Sequence, residues 1–251
     1  MMYLSTLLIN VGSNPDRPRP GRLWLRNLYH VHQRLCMAFP SASRKSEDAD
    51  FLKPFKPEDF GAKQIHVVRE ADAGFLFRID PQPGGGVVIL VQSAAKPDWE
   101  YAFHNAGYLL AAAPEVKLFD PHFKVGQMLR FRVLANPTKR IRKGSQDAKG
   151  KLIEEKWIGK RVPVPADQLD AWFARRAEKA GFSIVQDSTI VQPGYIYMSN
   201  PRDGKARLFS VRYDGTLKVN DPDGFLRTLA AGIGPGKAFG FGLLSLARVY
   251  S

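Results

Sequence analysis

Five glycines crowd an eleven-residue segment near the end of the chain: Gly232, Gly234, Gly236, Gly240 and Gly242. No other stretch limits the fold so strongly, because a segment this poor in side chains is a loop and not a regular element. The loop connects a helix predicted over Asp221 to Ala231 with a closing strand predicted over Leu243 to Val249. With alternate positions bare, backbone N–H groups can approach a phosphate and point at it, and Lys237 adds a positive charge. The same glycines also read as a tight connection into a buried strand. Both readings stand on the sequence.

Two nucleotide loops are excluded. A Walker A loop ending at Gly236-Lys237 needs glycine at 231 and Ser or Thr at 238, where the chain has Ala231 and Ala238. A dinucleotide fingerprint beginning at Gly234 needs glycine at 239, where Phe239 stands, in a segment that opens no βαβ unit. The run Lys237-Ala-Phe-Gly-Phe-Gly-Leu-Leu partly imitates the aromatic strand with which RNA-recognition modules stack bases. It has Ala and Gly where that motif has Gly and Val.

Hydrophobic periodicity places strands at Tyr3 to Asn10, Gln64 to Arg69, Phe75 to Asp80, Val87 to Gln92, Val116 to Phe119 and Met128 to Ala135. A Gly84-Gly85-Gly86 turn joins the third and fourth of these. A helix is predicted over Trp24 to Phe39, and a weaker one over Trp99 to Leu110. The Pro/Arg/Gly-rich stretch from Gly12 to Arg22 reads as loop, as does the polar stretch from Pro40 to Gly61. Asn136-Pro137 marks a domain boundary, dividing the chain into 1–135 and 136–251. Beyond it, a helix over Asp167 to Ala180 precedes strands at Ser183 to Val191, Arg207 to Tyr213 and Gly215 to Val219. The last two are expected to meet at an Asp214-Gly215 hairpin turn. The second half is read as β, α, β, β, α, β, the ferredoxin-like order, and the first half begins the same way. The predicted class is α+β, with two tandem ferredoxin-like (RRM-like) domains.

Charge narrows the partner. The 37 Lys+Arg against 24 Asp+Glu leave a net charge of +13, the sign that attracts a phosphate backbone. Nine basic residues, Lys139, Arg140, Arg142, Lys143, Lys149, Lys151, Lys156, Lys160 and Arg161, fall between 138 and 161 against Asp147, Glu154 and Glu155. That segment is either a nucleic-acid contact or a solvated charged face. No apolar run approaches the roughly 20 residues of a transmembrane helix, and the N-terminus reads as a first strand without a signal peptide. A single cysteine, Cys36, excludes an intrachain disulfide framework. The expectation is a cytoplasmic protein with no membrane partner.

On the Trp24 to Phe39 helix, Leu28, Val31, Leu35 and Phe39 share a core face, and Tyr29, His32 and Cys36 lie along its edge. Residues three apart are neighbours, so the Tyr29 phenol and the His32 imidazole can converge on one group. Histidine both accepts and releases protons near neutrality. RNA carries its own nucleophile in the 2′-hydroxyl, so cleavage needs proton transfer, positioning and charge stabilisation but no metal. Simple packing at a helix edge is the alternative for this pair. His30 and Arg34 point away from the edge. His66, His104 and His122 lack metal-ligand spacing, so neither a metal nor a cofactor is expected.

The opening Met-Tyr-Leu-Ser, the helix Asn27-Leu-Tyr-His-Val-His-Gln-Arg-Leu35, Leu134-Ala-Asn-Pro-Thr-Lys139, Lys160-Arg-Val-Pro163 and the Gly232 to Ala247 ending together resemble the CasE family. These are the endoribonucleases that process CRISPR RNA in type I-E systems. The resemblance implies two tandem ferredoxin-like domains and metal-independent cleavage of CRISPR precursor RNA at the 3′ side of the repeat hairpin, through attack of the 2′-hydroxyl. It carries the catalytic pair onto Tyr29 and His32 and the glycine loop onto Gly232 to Gly242. The product stays bound, and the partners are the repeat hairpin and the other subunits of the Cascade complex, outside which the protein is a monomer. RNA contacts are then expected from Lys139, Arg140, Arg142, Lys143, Lys160, Arg161, Gly232, Gly234, Gly236, Lys237, Gly240 and Gly242. The alternative is a non-catalytic RNA-binding or ribonucleoprotein scaffold protein.

Overall fold

The structure, a computed structural model, describes residues 1–12, 19–39, 74–145, 151–152, 154–185, 189–200 and 204–249. The strand expected at 64–69, the polar stretch at 40–61, Lys149 and most of the Pro/Arg-rich segment lie outside them. Described elements begin with β1 (Met2–Ile9), α1 (Pro20–Leu25), α2 (Leu28–Cys36), β2 (Phe75–Pro81), β3 (Val87–Ser93), α3 (Trp99–Phe103) and β4 (Glu115–Phe119). The strands form one antiparallel sheet in the order β2-β3-β1-β4. Alternation in each strand sends Leu7, Ile9, Phe77, Ile89 and Val91 to one face. There they form a core with Val31 and Leu35 of α2 and with Trp99 and Phe103 of α3. The glycine turn between β2 and β3 is as expected, with Gly84 and Gly85 at φ of 85° and 88°.

The chain continues through β5 (Met128–Ala135), β6 (Thr138–Arg140), β7 (Arg161–Pro163), α4 (Leu169–Lys179), β8 (Phe182–Ile184), β9 (Ile190–Asn200), β10 (Gly204–Val219), α5 (Pro222–Ala231) and β11 (Leu244–Arg248). A second antiparallel sheet has the order β11-β5-β10-β8, and β9 pairs with β10 farther along. Phe131, Val133, Phe173, Phe182, Tyr213, Leu217 and Phe225 build its core. The Tyr213 ring stacks on Phe173 at 4.2 Å, and its hydroxyl donates to the Leu169 carbonyl at 3.2 Å. β6 and β7 form a separate two-stranded ladder.

Four expectations change. The Trp24 to Phe39 helix is two helices broken at Arg26-Asn27, and α1 starts inside the segment expected to be loop. Pro20 is tolerated there because the first turn of a helix needs no N–H donors. Ser183 to Val191 belongs to two strands, β8 and β9. Asp214-Gly215 makes no turn: β10 runs straight through it, with Asp214 opposite Arg132 and Gly215 opposite Phe131. Asp214 is held by ion pairs to Arg132 and Arg212, which fixes it in the ladder. Finally, β5 lies at the centre of the second sheet, although the sequence grouped it with the first half.

The sheets meet through the second face of the first one. Met2 joins the second core. Gln92 donates to the Leu229 carbonyl at 2.6 Å, at the end of α5. Arg78, 5% exposed, ion-pairs with Asp80 at 2.7 Å and reaches the carbonyls of Arg132 and Leu243 at 3.4 Å.

Candidate active site

Helix α2 is set at its start by Asn27, whose Oδ1 accepts the N–H groups of Tyr29 and His30 at 3.1 and 3.4 Å. These donors have no partner within the helix, so the cap satisfies them. Leu28, Val31 and Leu35 are buried, which leaves Tyr29, His32 and Cys36 on the helix edge as expected. Tyr29 is 44% exposed. His32 is half-buried on an aromatic bed in β2, its ring stacked on Phe75 at 5.4 Å and Phe77 at 6.2 Å. Its Nε2 lies 3.6 Å from the Cys36 sulfur.

Arg34 and His30, also on α2, are structural. Arg34 Nη1 donates to the Ala102 carbonyl at 2.9 Å and Asn105 Oδ1 at 3.0 Å, tying α2 to the end of α3. Burial lowers its pKa to about 10, partly countered by Tyr108. His30 Nε2 is 3.3 Å from Asn27 Nδ2, and burial lowers its pKa below the ordinary value.

The glycine loop sits beside this helix. Its single turn Lys237–Phe239 packs against both α2 and β2. The loop straddles β2: a Cβ on Gly232 would lie 2.8 Å from Leu76 on one face, and one on Gly240 3.2 Å from Phe77 on the other. Both glycines have positive φ, 76° and 84°, so conformation and contact alike require them. Phe77 is thus a shared neighbour of His32 and Gly240.

The amides expected to face phosphate are mostly committed. Gly232 donates to the Thr228 carbonyl at 2.7 Å, Gly240 to Lys237 at 3.2 Å and Gly242 to Leu134 at 2.8 Å. That is a correction for these three N–H groups, whose glycines shape the loop. Gly234 and Gly236 flank the turn, and Lys237 is exposed on it. Resemblance to a base-stacking strand does not hold either, because Lys237–Phe239 is a turn and Phe241 is fully buried.

The basic segment joins the loop at its base. A Cβ on Gly236 would lie 3.5 Å from the Asn136 Cβ, and from Asn136 the chain enters β6. β6 and β7 bring Lys139, Arg140 and Arg161 together, and Arg161 donates to Thr138 Oγ1 at 3.1 Å. Arg142 and Lys143 follow in the turn, and Lys160 lies 4.4 Å over the Trp157 ring. All six are exposed, and among the described residues none of them has a carboxylate partner. Among the described residues no group of three His, Cys, Asp or Glu side chains could hold a metal ion. No helix there is long and apolar enough to cross a membrane.

Phe75 and Phe77, which seat His32, were missed as site residues. Their alternation inside a predicted strand beside a histidine helix was the available signal. Asn27 ahead of an apolar-periodic run was a readable cap.

Comparisons agree over the whole chain. The family profile described as CRISPR associated protein matches residues 2–248. The chain is 32% identical to "CRISPR-associated endoribonuclease Cse3" of Thermus thermophilus over 98% of this chain and 100% of that one. It is 31% identical to "CRISPR system Cascade subunit CasE" of Escherichia coli, over 98% and 99%. The solved structure of Thermus thermophilus Cse3 "bound to an RNA representing a pre-cleavage complex" is similar at a TM-score of 0.68 and 30% identity, over 99% and 100%.

Proposed function

The chain belongs to the CRISPR associated protein family, and from that premise we propose that it is an endoribonuclease that cuts CRISPR precursor RNA at the 3′ side of the repeat hairpin. It then stays on the mature guide RNA as a subunit of the Cascade complex. One observation carries the reading: an exposed phenol and a ring-seated imidazole share the edge of α2 that borders the Lys237 turn. The basic ladder begins beside the same loop, just after Asn136, so groups for proton transfer and for phosphate binding both neighbour the loop.

In the proposed reaction the 2′-hydroxyl oxygen attacks the adjacent phosphorus, and the bond from phosphorus to the 5′-oxygen breaks. The 2′-proton is withdrawn and a proton is delivered to the leaving 5′-oxygen, giving a 2′,3′-cyclic phosphate and a 5′-hydroxyl. His32 acts in proton transfer, Tyr29 positions or polarises the 2′-hydroxyl, and Lys237 offsets charge on the phosphate. The nucleophile comes with the substrate, so no metal is required. Lys139, Arg140, Arg142, Lys143, Lys160 and Arg161 contact phosphates of the stem. The sheet orders β2-β3-β1-β4 and β11-β5-β10-β8, each with helices in two of its three connections, support two ferredoxin-like units. The division falls at 120–127, ahead of β5, and not after residue 135. Half-buried Cys36, the single cysteine and so without an intrachain disulfide, fits a reducing compartment, the cytoplasm.

His32→Ala is expected to slow cutting of the cognate repeat RNA by about 10² to 10⁴ while hairpin binding persists. Single-turnover cleavage with end-group analysis reads the result. Normal cutting by this variant, dependence on a divalent metal, or cutting of a substrate with 2′-deoxy at the cleavage position overturns the reading. Binding without any cleavage by the unaltered protein leaves a passive scaffold.

A further inference from the structure

A cavity of about 300 Å³ lies at the start of the same helix, lined by Val11, Arg22, Leu25, Arg26, Gly85 and Val87. We propose that Arg22 and Arg26 use it to bind a second RNA phosphate, that of a nucleotide flanking the cut. This rests on Tyr29 and His32 being the cleavage centre.

Three observations support it. Arg22 lies in the last turn of α1 and Arg26 caps its C-terminus, four residues apart and therefore on one side. Both line one cavity, where like charges repel unless an anion joins them. Four arginines elsewhere are engaged, whereas Arg140, Arg142 and Arg161 are exposed without a carboxylate among the described residues: Arg78 pairs with Asp80, Arg132 and Arg212 share Asp214, and Arg34 donates to a carbonyl and an amide. Among the described residues Arg22 and Arg26 have no acidic partner. The forks of two guanidiniums match the oxygens of a phosphate, and the apolar walls formed by Val11, Leu25 and Val87 strengthen such a contact by lowering the local dielectric.

Position supplies the third. α2 runs antiparallel to β2. At one end Phe39 stacks on Phe75 at 5.3 Å; at the other the cavity includes Val87, the ladder partner of Pro81. His32 is level with Phe75 and Phe77, and Tyr29 is about 4.5 Å nearer the cavity along the axis. Arg26 lies three residues beyond Tyr29. His32, Tyr29 and Arg26 therefore follow one another along α2 toward the cavity. A strand whose scissile phosphate sits at the Tyr/His pair brings a neighbouring phosphate to the arginines.

Arg22→Ala, Arg26→Ala and the double variant, with thermal melting as a folding check, are tested on cognate repeat RNA carrying single methylphosphonate linkages walked across the cut. For the unaltered protein one flanking linkage should weaken binding and slow cutting; the double variant should be weak with every substrate and indifferent to that linkage. The salt dependence of binding should lose about one unit of slope per arginine. An unchanged slope, with the same linkage sensitivity in both proteins, overturns the site while His32→Ala still abolishes cutting. Were His32→Ala to cut normally, the cleavage-centre reading itself would fall. A double variant that binds and cuts as the unaltered protein but no longer joins other subunits shows that the arginines serve a protein contact, which also overturns the phosphate site.

Discussion

His30 stands next to Tyr29 in sequence but contacts the Asn27 cap of the helix. Asn27 Oδ1 is occupied by two backbone donors, so its Nδ2 faces His30 Nε2, which must accept and is therefore unprotonated. Burial adds to this by disfavouring the charged ring, and the folded-state pKa lies below 6.5. In that window the unfolded chain binds a proton that the folded chain resists, so stability falls as pH drops below the ordinary histidine value. Melting temperature should therefore decline between about pH 7.5 and pH 5.5, and His30→Gln should flatten that slope. An equal slope in both proteins would sink the argument. At this scale the sequence was partly legible: the edge positions of Tyr29 and His32 and their core-facing neighbours follow from a period of 3.6. Arg34, expected to point away from the Tyr29/His32 edge, anchors α2 to α3, a role that no helical projection reveals because a long side chain can reach a distant carbonyl.

The ladder of β6 and β7 carries charge without acidic partners, so its contribution should be read in salt dependence. Neutralising Arg140, Arg142 and Lys143 together should reduce the salt slope of hairpin binding by about three and weaken affinity, leaving cleavage of saturated RNA nearly unchanged. Filter binding across a salt series checks it, and an unchanged slope marks the ladder as a solvated face. Elements were legible where a local pattern sufficed, as in β2, β3, α5 and the glycine turn between the first two. Three failures share a cause. Apolar periodicity continues through Arg26-Asn27, hiding the break that the Asn27 cap announces. Asp214-Gly215 has hairpin composition, but two arginines hold Asp214 in a straight strand. The Asn136-Pro137 break looked like a boundary after β5, yet β5 pairs with β10 and β11, over 70 residues away. No local signal specifies such a partner.

Across the whole molecule the two sheets are fastened by polar groups in an otherwise apolar seam. Arg78 is buried, paired with Asp80 and aimed at two carbonyls beyond its own sheet. Removing one member of such a pair strands the other, so Arg78→Met should cost about 3 kcal/mol in denaturant unfolding. Combining it with Asp80→Leu should recover most of that loss; no recovery would mean that the carbonyl contacts, not the pair, hold the seam. The same seam explains how the glycine loop reaches over β2 to α2. Synthesis therefore delivers the Tyr/His pair early and its neighbouring wall late: a nascent chain halted before residue 232 has both rings but nothing behind Phe77 where Gly240 belongs, and no Lys237 beside them. Cutting competence would therefore need the chain to be synthesised past residue 242.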